Sequence, residues 1–76
     1  MKEQTALSDR LAKAMTRVAE AEQHISSQAA LVAELELTGQ DARRSSMILA
    51  TLRQAHDRLQ QEVEHILKEL QRNTHP

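Results

Sequence analysis

An all-α fold, specifically an antiparallel two-helix hairpin of coiled-coil type that dimerises into a four-helix bundle, is predicted by three features of this chain. Its single glycine, Gly39, stands near the middle of 76 residues that are otherwise rich in helix formers. Apolar residues recur at heptad spacing on both sides of it. The two apolar tracks also mirror each other about that glycine, so each core layer takes one residue from each half.

The first helix is expected over about residues 5–37. It ends at a turn, 38–41, reading Thr38-Gly39-Gln40-Asp41. Glycine just past a helix end accepts the left-handed backbone that closes the last turn, and aspartate is a good cap for a following helix. The second helix is expected over about 42–72, with a frayed tail at 73–76, Asn73-Thr74-His75-Pro76. Each helix is on the order of 50 Å long. So short a connection forces antiparallel packing.

Heptads follow without strain. In the first helix Leu11, Val18, Ile25 and Val32 take a positions, with Leu7, Ala14, Ala21, Gln28 and Leu35 at d. In the second, Leu49, His56, Val63 and Leu70 take a, with Ser45, Leu52, Leu59 and Ile66 at d. Antiparallel helices set a against d. The residue numbers of each layer then share the sum 77, from Leu7 with Leu70 to Val32 with Ser45, and half of it falls on the Thr38-Gly39 turn. Flanking charges fit the same register: Arg10 with Glu69, Arg17 with Glu62 and Glu22 with Arg53, with Glu34 and Glu36 near Arg43 and Arg44. Exposed pairs of this kind contribute about 0.3–0.5 kcal/mol each, so they adjust register more than stability.

Composition narrows the function. There is no cysteine, hence no disulfide framework or Cys-based zinc site, and no Phe, Trp or Tyr. A chain this short has a marginal core, and oligomerisation is its remaining route to stability. Ten basic against 11 acidic residues, with no stacking aromatics, makes a poor nucleic-acid binder. The polar, mixed-charge start does not read as a signal peptide, and no apolar run approaches the ~20 residues that span a bilayer. A cytoplasmic protein with no membrane or nucleic-acid partner is expected.

The seam leaves apolar residues over. Ala12, Met15, Ala19, Ala29 and Ala33 form a stripe of mostly small side chains on the first helix, interrupted by Glu22 and Ser26. Near the turn, Leu31 and Leu37 are joined by Met47 and Ile48. Small residues allow close helix approach. This surface is expected to make a homodimer first, and secondly to dock another protein.

Residues for chemistry are few. No catalytic constellation and no cofactor site is found. His56 falls at a seam position opposite Ala21, and His24 lies at almost the same height; with Glu20, Glu22 and Asp57 nearby they form the alternative reading, a metal-binding bundle. Against it, no two histidines have the i, i+4 spacing of a single helical face. The plainer role for His56 and Gln28 is a pair of polar layers that fix register. Ala55-His56-Asp57-Arg58-Leu59-Gln60-Gln61 resembles the H-box of one histidine-kinase group, but a phosphoacceptor must be exposed and His56 falls in the seam. His65 and His75 are expected in solvent. Gly39 alone makes no phosphate-cradling loop.

The stretches Ala21-Glu22-Gln23-His24-Ile25-Ser26-Ser27-Gln28, Leu31-Val32-Ala33-Glu34-Leu35-Glu36, Gly39-Gln40-Asp41 and Leu49-Ala50-Thr51-Leu52, with Ile66, Leu67, Glu69 and Leu70, resemble a family of short alphaproteobacterial proteins abundant in rhizobia. The resemblance covers about residues 20–70. It implies a bacterial, stand-alone helical protein and assigns no activity. This chain departs from the family in having Ala42 where a threonine is common and Leu52 where phenylalanine is common.

Overall fold

The computed structural model describes the backbone of residues 2–74 and the side chains of residues 3–73. Two helices, α1 (Lys2–Leu37) and α2 (Arg43–Thr74), pack against each other as a hairpin. Among the described residues there is no strand. The rod measures 60 × 14 × 13 Å. Its radius of gyration is 17.3 Å, against about 11 Å for a globular chain of this length.

Both helices extend past their expected ends. α1 begins at Lys2 because Lys2-Glu3-Gln4 contains no breaker, and Glu3 suits the positive end of the helix dipole. α2 runs to Thr74, so Asn73 and Thr74 are helical rather than frayed. The expectations for His75 and Pro76 lie outside the described residues.

The turn is built as the sequence suggested. Gly39 has φ +73°, and its N–H donates to the Glu36 carbonyl at 3.2 Å while the Gln40 N–H donates to the Leu35 carbonyl at 2.8 Å. These paired bonds close the end of α1 in a Schellman motif. The Thr38 hydroxyl donates to the Glu34 carbonyl at 2.9 Å. At the start of α2, Asp41 Oδ1 accepts the Arg43 N–H at 3.0 Å, which is the capping bond.

The seam holds every residue assigned to an a or d layer from Leu7–Leu70 to Val32–Ser45; each is buried or half-buried. Packing is tightest in the half away from the turn, where Leu7, Ala14 and the fully enclosed Ile66 form a cluster flanked by Leu11, Val63 and Leu70. Burying an isoleucine contributes about 1.5–3 kcal/mol, so Ile66 is the main single anchor. Nearer the turn only Leu49 is buried. Small or polar residues (Ala21, Gln28, Ser45) thin the apolar contact there.

The flanking ion pairs are a correction. Among the described residues Arg10–Glu69, Arg17–Glu62 and Glu22–Arg53 do not form. Glu69 instead meets His65 one turn back on its own helix, at 2.7 Å, and Glu22 meets His56. Arg43 folds onto Asp41 at 2.8 Å rather than onto Glu34 or Glu36. Nearby partners win because ordering two long side chains across exposed surface has an entropic cost that weak Coulomb attraction in water does not offset.

Candidate functional site

Among the described residues, chemistry-bearing side chains do not converge. His56 is held by the seam with its side chain 15 % exposed, and its Nε2 lies 3.3 Å from Glu22 Oε2. The contact joins the helices on the side that carries the e positions. His24 is exposed and occupies a g position, on the other side of the seam. Glu20 and Asp57 are exposed and make no contact with His56 among the described hydrogen bonds and ion pairs. No group of three or more His, Asp or Glu side chains placed to hold one metal ion exists among the described residues. His65, expected in solvent, is 64 % exposed but bonded to Glu69.

Gln28 shows what a polar seam residue does here. Its Nε2 donates to the Ser45 carbonyl at 2.9 Å, a side chain of α1 bonded to the backbone of α2. Two polar layers, Gln28–Leu49 and Ala21–His56, thus each carry one interhelical polar contact. No buried polar side-chain atom is left without a partner among the described residues.

The shifted titrations lie at the turn. Asp41 is held below its ordinary carboxylate value, first by the Arg43 guanidinium and then by the Arg43 N–H. Arg43 is correspondingly raised by the Asp41 carboxylate. Both groups are in water, and the pair serves the helix start.

What the hairpin does expose is apolar surface. Leu37 is 88 % exposed, Met47 71 % and Met15 56 %; Leu31, Ile48 and Leu67 are each a little under half exposed. Ala12, Ala19 and Ala33 are exposed, and Ala29 is half-buried against α2. These residues divide between two sides. Met15, Ala19, Glu22, Gln60 and Glu64 rim a concavity floored by Val18 and Val63, and the alanine stripe runs along that side. Leu31 and Ile48 sit across from each other on the opposite side near the turn. There Arg44, Met47, Ile48, Thr51 and Leu52 line a second, strongly apolar hollow. Leu67 joins the alanine side from α2; its e position flanking Ile66 was the signal for it.

No helix among the described residues is long and apolar enough to cross a membrane. No family model, curated protein or solved structure matches the chain.

Proposed function

We propose that this chain is a small non-enzymatic interaction module: a helical hairpin that associates with a second copy and binds another protein through its alanine stripe or its turn. The observation that carries the reading is the amount of surface left in water. The hairpin exposes 6118 Å². A compact monomer of its mass exposes about 4,700 Å². The excess, roughly 1,400 Å² per chain, exceeds the ~800 Å² that each partner contributes to a standard protein interface. Among the described residues the exposed surface includes six large apolar side chains that a lone two-helix seam leaves uncovered. A bacterial, cytoplasmic adaptor or regulatory protein, as the resemblance to the short alphaproteobacterial family implies, belongs to the same proposal.

Sedimentation velocity across micromolar concentrations tests it. The expected species has twice the 8.6 kDa chain mass. A folded monomer that does not change with concentration would contradict the reading.

A further inference from the structure

The two sides of the hairpin differ in a way that selects one of them for the second copy. On the side of Leu31 and Ile48, several α1 residues have an α2 residue of complementary character at the same height. Leu31 is matched by Ile48, and both are more than 40 % exposed. Along the outer edges of that side lie Glu34 on α1 and Arg44 on α2 at one height, then Glu20 and Arg58 at another. These four charges are exposed and make no ion pair with each other or elsewhere among the described residues. They occupy c positions, on opposite rims of that side.

Resting on the self-association proposed above, we infer that a second copy packs on this side, related by a two-fold axis parallel to the long axis of the rod. That operation lays α1 of one copy along α2 of the other, antiparallel, with both turns at the same end. Leu31 then faces Ile48 of the second copy, twice by symmetry, and the rims pair as Glu34 with Arg44 and Glu20 with Arg58, each twice. Every neighbouring pair of helices in the four-helix bundle runs antiparallel, which the helix dipoles favour. Near the turn, Leu31 and Ile48 point inward and Glu34 and Arg44 lie at the rim, the usual order of an interface. In the half away from the turn the same inward positions are charged, and there Arg10 and Arg17, which form no ion pair among the described residues, meet Glu69 and Glu62 of the second copy. Turning the second copy end over end instead would set Leu31 and Ile48 against that charged half.

The alanine side does not accept the same operation. There α1 offers Ala12 and Ala19, whereas α2 offers Glu64 and Asp57 at the matching heights. A half-turn about the rod axis would press alanines on carboxylates. The stripe is therefore left open for a different partner.

One nitroxide per chain tests the arrangement. The chain has no native cysteine, so Gln40→Cys labels the turn alone. Turns at the same end give an intermolecular distance of about 2–3 nm, since neighbouring helix axes are about 1 nm apart. Distances near the 60 Å length of the rod overturn the arrangement while leaving self-association standing. A monomer with no dipolar signal overturns both. The rim is tested by charge exchange: Glu34→Arg raises the dimer Kd about tenfold, and adding Arg44→Glu restores it, because opposite charges face each other again. A Glu34→Arg Kd equal to the parent's, or a double variant no better than the single, removes this side as the interface.

Discussion

The Gln28 side-chain amide donates to the backbone carbonyl of Ser45, 17 residues on and on the other helix, at 2.9 Å. This bond fixes how far α1 slides along α2 in the half where apolar packing is thin. A carboxylate in its place has no proton to give and would face a carbonyl oxygen. Gln28→Glu is expected to lower stability by about 1–3 kcal/mol at pH 7, the cost of leaving such a group unpaired. Gln28→Leu should stay within about 1 kcal/mol, because the Ser45 carbonyl belongs to a helix and leucine fills the layer. Urea titration of both variants checks the pair.

His56 is the second polar layer, and its contact with Glu22 is long and partly in water. His56→Leu is expected to be neutral or stabilising, as replacing a polar seam residue with leucine often is. A loss of more than about 1 kcal/mol would show that the imidazole makes a stronger bond than 3.3 Å implies.

Gly39 isolates backbone strain from sterics. A Cβ added there meets nothing within 4 Å, yet φ is +73°. Gly39→Ala should therefore cost about 1–2 kcal/mol, through the left-handed backbone alone. Gly39→Asn, which tolerates that region, should recover part of it. Equal stability of the alanine variant and the parent would mean the turn has another conformation.

Asp41 gives a pH signature. Its carboxyl is depressed in the fold by Arg43, so its contribution is fully present above the unfolded aspartate value of 3.8 and fades as pH falls through the lower folded value. The Tm gap between the parent and Asp41→Ala should be a few degrees and flat from pH 5 to 8. It should narrow below about pH 4. A gap independent of pH down to 2 would assign the effect to helix propensity instead.

The metal reading has its own check. With Glu22 the one side chain bonded to His56 among the described residues, and His24 on the far side of the seam, zinc at tenfold excess is expected to leave Tm unchanged. A rise that disappears in His24→Ala plus His56→Ala would establish that reading in place of the interaction module.

The fold was legible because its determinants are local and periodic. Heptad spacing located the seam, the shared layer sum set the register, and Gly39 with Asp41 marked the turn. Side-chain pairing was less legible. Arg10 and Glu69 are correctly placed across from each other, but register does not say that Glu69 will prefer His65 on its own helix. The candidate surface was visible as leftover apolar residues. Its division into two sides depends on following each helix around its axis, and Leu67 is hard to tell from a core residue by pattern because it adjoins the strongly buried Ile66.

Whether the chain doubles back is tested most directly by nitroxides at Arg10 and Glu69 on one molecule, diluted into unlabelled protein so that only intramolecular distances remain. The hairpin predicts a separation under about 2 nm, since the two positions face each other across adjacent helices. A continuous helix would place them about 9 nm apart at 1.5 Å per residue, and a distance of that order would contradict the account.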